Sequence, residues 1–316
     1  MRRSLLALAL IACRSRASPP PPPPAADAAP PTQDAAPAYT RVRRGGTDAT
    51  FVVVSDTHVG YLYPAEKSKL SKSAVKEPVG LERDNAKLIA RLNSIAGRDY
   101  PAKIGGKVAP PSGVVITGDL TEWGQALEWE RFVELYGLTG TEGPLKLPVF
   151  EMIGNHDKVA LGPWVADRVA ERHGGRYYAW DWGDLHLLAL GEAPDDDGLA
   201  FLEKDLAHVA PDVPLVLFFH LALLGPWSDG NWFDGVYKDR LHRLIDGRNV
   251  VAIFHGHHHA TGHYEWRGID VWKPGAVKHD AHTFAVVHAT DEHWTVASYD
   301  WELDAWRDSY AKKMPR

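Results

Sequence analysis

The chain is poor in the residues that make covalent or soft-metal sites. Its 316 residues include one cysteine, Cys13, which excludes an internal disulfide framework and a cluster of thiolate ligands. Any metal must be held by nitrogen and oxygen. Basic charge is also short: the formal net charge is −6, so the electropositive footprint required by a nucleic-acid phosphate backbone is not expected. Long apolar runs are missing too. The stretch Leu5–Ala12 is too short to span a bilayer. What is present, 45% hydrophobic and 24% charged residues, suits one large globular domain or two small ones.

The N-terminus reads as a targeting segment, not as fold. MRRSLLALALIAC places two arginines, a short apolar run and a small residue before Cys13, the layout of a secretory signal over residues 1–12. Leu10-Ile11-Ala12-Cys13 also resembles the bacterial lipobox, which implies cleavage before Cys13 and its lipidation; a plain signal cut elsewhere is the alternative. Residues 13–40 are then a proline- and alanine-rich tether that lacks the apolar surface to offset its ordering entropy. Its proline run favours a semi-rigid polyproline spacer. The expectation is a domain over 41–316 held at the cell envelope by a lipid anchor, on a periplasmic or extracellular face.

Within that domain, short apolar strands alternate with helical patterns. Phe51–Val54, Gly113–Thr117 and Pro148–Ile153 read as buried strands, with further strands at 177–182, 185–190, 215–219 and 250–254. Helices are expected over Leu81–Ile95 and Thr121–Tyr136. The tail from Tyr264 to Trp301 reads as β. No internal repeat is visible.

The informative regularity is the type of residue found past each strand. Asp56 and His58, then Asp119, then Asn155, His156 and Asp157, then His220, then His257 and His259 all sit just beyond C-terminal strand ends, where open α/β sheets place ligands. One such residue is ordinarily a cap or a turn. Five successive instances at one edge are not explained by capping. The last lies in FHGHHHATGH, residues 254–263, where five histidines crowd ten positions and the run itself leaves open a metal site, a polar run or an imidazole-rich loop.

Taken together, Asp56-Thr57-His58, Gly118-Asp119, Gly154-Asn155-His156-Asp157, His220 and Gly256-His257-His258-His259 resemble, in order and type, the calcineurin-like metallophosphoesterase family. The resemblance implies an α/β fold, a four-layer αββα sandwich of two mixed β-sheets flanked by helices, with the tail from Tyr264 completing the second sheet. It implies one metal on Asp56, His58, Asp119 and His259, and a second on Asp119, Asn155, His220 and His257, with Asp119 bridging. Such donors suit Mn, Fe or Zn. Two ions roughly 3.5–4 Å apart, with a hydroxide between them, support in-line attack at phosphorus. His156 is then the general acid and Asp157 the group that orients it. His258 should point elsewhere, and His255 and His263 should be structural or lie behind the ligands.

Departures narrow the branch. Purple acid phosphatases carry a tyrosine three residues after the bridging aspartate; here that residue is Glu122, so no tyrosinate ligand is expected. The stretch Gly118–Gly124, GDLTEWG, lacks the arginine of the protein Ser/Thr phosphatase pattern and is more similar to bacterial phosphomonoesterases and phosphodiesterases. Residues 61–80 carry Lys67, Lys69, Lys72 and Lys76, which either attract an anion or form a solvated loop. Trp123, Trp164, Trp227 and Trp232 stand near motif edges, as pocket walls or as packing. The expected partner is a small phosphoester, the expected state a monomer. Three readings remain: a general dimetal phosphoesterase, a phosphodiesterase specialised for lipid headgroups or nucleotides, and a non-catalytic metal-binding surface lipoprotein.

Overall fold

A computed structural model describes residues 39–60, 81–158, 163–226, 228, 235–279 and 281–315. Cys13 and the tether, the four lysines of residues 61–80, Trp227 and Trp232 lie outside the described residues. Residues Ala38–Arg316 form one compact unit. Among the described residues no helix is long and apolar enough to cross a membrane.

The first strand, β1 (Asp48–Val54), shows why its sequence is apolar at successive positions instead of alternating. Val52 and Val54 pack outward against Leu88, Leu92, Phe132 and Tyr136 of two helices. Phe51 and Val53 pack inward against Leu187, Val216, Phe218 and Phe254 of a second sheet. A strand covered on both faces has no solvent side to make polar. Its neighbours β2 (Val114–Ile116) and β3 (Val149–Glu151) run parallel to it. The helices α1 (Leu81–Asn93), α2 (Ala126–Tyr136) and α3 (Trp164–His173) cover the outer face. In α1, Glu82 and Asp84 lie in the first turn and Arg91 in the last, complementing the helix dipole.

The second sheet is built from β4 (Tyr178–Trp182), β5 (Leu185–Ala189), β6 (Leu215–Phe219), β7 (Val250–His255), β8 (Thr261–Trp266) and β9 (Ile269–Pro274), in the order β4-β5-β6-β7-β9-β8. Its outer face is covered by α4 (Asp196–Leu206) and α5 (Gly235–Ile245) through Leu199, Leu202, Leu206, Leu241 and Ile245. The result is the expected four-layer sandwich of two mixed sheets between helices.

Two expectations need correction. The tail does not all join the second sheet: β8 and β9 do, whereas β10 (Thr283–Thr290), β11 (His293–Asp300) and β12 (Ala305–Lys313) extend the first, giving β12-β11-β10-β1-β2-β3. β10 pairs antiparallel with β1 from Asp48↔Thr290 to Val53↔Ala285, a partner choice that only long-range packing decides. Second, α2 begins at Ala126, not Thr121. Gly124 is left-handed at φ +71°, and the Glu128 carboxylate accepts the N–H groups of Trp123 and Gln125 ahead of the first turn. Residues 121–125 are thereby reserved for the site.

Candidate functional site

Beyond β1 and β2 the chain continues as two parallel ribbons. Asp56, His58 and Val59 donate their N–H groups to the carbonyls of Gly118, Asp119 and Leu120. The Thr57 hydroxyl donates to the Leu120 carbonyl, and Asn85 of α1 donates to the Thr57 carbonyl. These bonds hold an unusual backbone. Asp56, His58, Asp119, His257 and His259 are all left-handed, with φ between +43° and +68°, a conformation costly for residues with a Cβ. They are five of the eight such non-glycine residues among those described. Strain concentrated at the polar strand ends, and held by a bonded lattice, marks a built site.

Two glycines show how tightly the loops cross. A Cβ on Gly256 would lie 2.0 Å from Ser55 Oγ, and one on Gly154 would lie 2.2 Å from Asp119 Oδ1. The motif glycines are thus positions where only a hydrogen fits.

The side chains converge in three overlapping sets: two share Asp119, and a third, His58, Glu122 and His156, shares His58 with the first. Metal-ligating atoms of Asp56, His58, Asp119 and His259 lie within 4.8 Å of one another, and so do those of Asp119, His220 and His257. His259 Nε2 is 3.0 Å from Asp56 Oδ1 and 3.2 Å from His58 Nε2. His58 Nε2 is 3.5 Å from Asp119 Oδ2, and His220 Nε2 is 3.2 Å from the same oxygen. Asn155 Oδ1 joins the second set, 3.1 Å from His220 Nε2. All seven residues expected as ligands are brought together.

The donor chemistry fits cations. Asp56, His58, Asp119 and His220 are essentially fully buried. Asp119 Oδ2 is buried without a well-directed hydrogen-bond donor. The His220 Nδ1–H donates to the Thr117 carbonyl at 2.9 Å, and His58 Nδ1 faces Glu122 Oε2 at 2.9 Å, so each ring turns Nε2 toward the shared carboxylate. Burial disfavours a charged His220, yet Asp119 and Asp56 push its pKa to about 10. Burial likewise opposes ionisation of Asp119, and the His220 charge holds its carboxyl far below the usual range. His257, lowered to about 4 by burial and then by His220, stays neutral. Buried carboxylates and imidazoles facing one another make a set of oxygen and nitrogen donors that fits metal cations.

His156 lies at the rim, half-buried, its ring 4.7 Å from that of His58. Its backbone N–H donates to Asp119 Oδ1 at 2.8 Å. Here the structure corrects one expectation: Asp157 does not orient this imidazole. The group that does is the carbonyl of Glu122, which accepts from Nδ1 at 2.8 Å and leaves Nε2 turned to the site. Asp157 is fully buried and its carboxylate accepts the N–H groups of Leu120, Thr121 and Gly154 and the Thr121 hydroxyl. It ties the ribbon of Asp119 to the loop of Asn155, and burial, reinforced by the Asp119 charge, raises its pKa to about 6. Adjacency in sequence suggests a pair; the tight turn at His156–Lys158 sends the two side chains apart.

The histidine run separates as the partners require. His257 and His259 enter the cluster. The His258 ring meets the Pro226 carbonyl, His255 is buried between the Gly256 carbonyl and the Tyr264 hydroxyl, and His263 meets Asp270 at 2.6 Å. Burial, chiefly, pushes His255 down to about 3, so it is neutral. Of the tryptophans near motif edges, Trp164 is half exposed at the start of α3.

Two site residues are not evident from the sequence. Glu122 stands out there only as a substitution for tyrosine, but it contacts His58 and also receives Lys278 Nζ at 2.9 Å on both oxygens. These partners outweigh burial and lower it to about 2. Lys278 lies in the turn after β9, which carries no motif; its one sequence signal is the density of charged and imidazole side chains, Lys278, His279 and His282.

The chain is similar to known proteins in sequence and in fold. A probable cyclic nucleotide phosphodiesterase of Rhodopseudomonas palustris is 31% identical over 176 residues, covering 49% of this chain and 60% of that protein. The chain thus spans less than two thirds of that curated relative. Among solved structures, a purple acid phosphatase from yellow lupin aligns at TM-score 0.56 with 15% identity, over 84% of this chain and 53% of that one. A dimetal phosphatase from Danio rerio aligns at 0.55 with 10% identity, over 85% and 100%. GAP50, described as the anchor in the inner membrane complex of Plasmodium, aligns at 0.56 with 11% identity, over 85% and 90%. At these identities the structures speak for the fold alone. The family description "calcineurin-like phosphoesterase" matches residues 49–261, more than half of the sequence and a span that contains the candidate ligands above, and the chain belongs to that family.

Proposed function

We propose that the protein is a metal-dependent hydrolase of phosphomonoesters or phosphodiesters. One observation carries the reading: Asp119 is common to two converging ligand sets, so a single carboxylate can bridge two ions. Asp56, His58, Asp119 and His259 would hold one ion and Asp119, Asn155, His220 and His257 the other; the oxygen and nitrogen donors suit Mn, Fe or Zn. Bound there, two such ions supply Lewis acidity toward phosphoryl oxygens and lower the pKa of coordinated water. The protein's remaining work is positional. The carbonyl of Glu122 keeps a proton on His156 Nδ1, so that Nε2 faces the rim; in the imidazolium form that nitrogen would carry the second proton and hand it to the departing ester oxygen. Asp157 keeps the loops of Asp119 and Asn155 in register, and Glu122 holds His58 from behind.

A second reading, a phosphodiesterase for nucleotides or lipid headgroups, is favoured by the name of the Rhodopseudomonas relative and by the lipobox-like Cys13. That cysteine also supports a location at the cell envelope. The third, a non-catalytic surface lipoprotein, has GAP50 as evidence that this fold can serve as an anchor. The test is an assay of 4-nitrophenyl phosphate and bis(4-nitrophenyl) phosphate with Mn, Fe or Zn, before and after chelation. Metal-dependent turnover of either ester supports the proposal, and the ratio between them separates the first two readings. No turnover with any of the three metals, by protein shown to bind them, leaves the anchor reading.

A further inference from the structure

Beside the metal cluster the tail of the chain builds a pocket that no motif announces. The turn after β9 passes the site closely: the Val277 N–H donates to the Asp56 carbonyl at 3.2 Å and Lys278 reaches Glu122. His279, left-handed at φ +67°, then sets its ring 4.9 Å from that of His259. A pocket of about 430 Å³ opens between this turn and the ends of β8, β10, β11 and β12, with His259, His279, His282, Thr283 and Arg307 among its walls. His259 belongs to both places, since its Nε2 lies 3.0 Å from Asp56 Oδ1.

The walls are flat and fixed. The His282 ring lies 4.6 Å from the buried indole of Trp301. Arg307 is held by Asp300, with Nε and Nη2 at 2.7 and 2.6 Å from Oδ2. Asp300 is itself buried, and its Oδ1 accepts the N–H groups of Glu302 and Leu303. The guanidinium plane is therefore set by the fold before anything binds. With Asp300 paired to it, the pocket offers planar faces and N–H donors. That chemistry suits stacking and hydrogen bonding to a planar group.

On the reading of the cluster as a phosphoester centre, we propose that this pocket seats a planar, acceptor-bearing substituent of the substrate whose phosphorus lies at Asp119. The probes are two phosphonates that cannot be hydrolysed, ethylphosphonate and 4-acetylbenzylphosphonate, titrated calorimetrically into the manganese-loaded full chain. The aryl compound is expected to bind about tenfold more tightly. Two variants, His282→Ala and Arg307→Gln (the glutamine retains a donor for Asp300), are expected to bring that ratio to within about twofold. Equal affinities in the unaltered protein overturn the proposal, as does a parallel weakening of both ligands with the ratio kept. Failure of the aryl compound to bind a protein that hydrolyses 4-nitrophenyl phosphate also overturns it. Absence of both binding and hydrolysis defeats the phosphoesterase reading, and the pocket with it.

Discussion

The two ends of one mixed sheet each bury a histidine beside carboxylates, but only one of the two clusters is closed. At the start of β5, His186 is fully buried and each ring nitrogen meets a carboxylate, Asp181 at Nδ1 and Asp205 at Nε2, both at 2.6 Å. Arg41 closes on the same acids at 3.0 and 3.8 Å. Burial disfavours the imidazolium, but the two carboxylates prevail and raise its pKa. The chain thus supplies every charge that this cluster needs. Just past the end of the neighbouring strand β6, His220 also lies beside a carboxylate, but Asp119 is contested by His58 as well, and His58 by His259. There, Asp119 Oδ2 is left buried without a well-directed hydrogen-bond donor. A histidine–aspartate contact is therefore not in itself a site; competition among several such groups for one buried point is.

The open cluster is most severely disrupted at the shared carboxylate. Asp119→Asn is expected to lose both ions and reduce turnover to background, because a neutral amide cannot bridge two cations; elemental analysis beside the ester assay checks it. His156→Ala should keep both metals yet lose about 10²–10⁴ in kcat on esters with poor leaving groups. Unchanged turnover in that variant would remove the proton-donor role. Glu122→Gln is a smaller intervention, behind a ligand. It should weaken metal binding about 10–100-fold at the ion held by His58, with less effect at the ion held by His220, as read by metal titration.

The smallest effect belongs to the closed cluster and appears in stability, not catalysis. Below about pH 6.5 His186 is charged in both folded and unfolded chains, and its ion pairs contribute in full. As pH rises through its raised folded value the proton is lost and the contribution disappears. The melting temperature should therefore fall by roughly 2–4 °C as pH rises from about 6.5 through that value, a fall absent in His186→Leu. A variant whose melting temperature follows the native protein through the same window would show that His186 is not charged.

Most of the ligand set is legible in the sequence because strand ends leave a signature: an apolar run with an aspartate, asparagine or imidazole just beyond it. Phe51–Val54 with Asp56 and His58 beyond it is of this kind, as is Leu215–Phe219 with His220. Helices α3, α4 and α5 leave a fainter trace, each being a short element of 10 or 11 residues with a modest apolar face. Glu122 and Lys278 are hidden for another reason. They meet across 156 positions of sequence, and neither residue type nor local spacing encodes such a contact.

The sequence by itself determined the kind of chemistry: one cysteine, seven nitrogen and oxygen donors placed after buried strands, and glycines where loops must cross. These follow from local rules of side-chain type, strand burial and backbone freedom. Tertiary structure alone decided the partition of the donors. It made Asp119 common to two sets, gave His156 the carbonyl of Glu122 instead of Asp157, turned His258 away between two ligands and sent β10–β12 to the first sheet. Each of those outcomes depends on which distant segments pack together, and packing is settled by the burial of whole faces, which no short stretch of sequence contains.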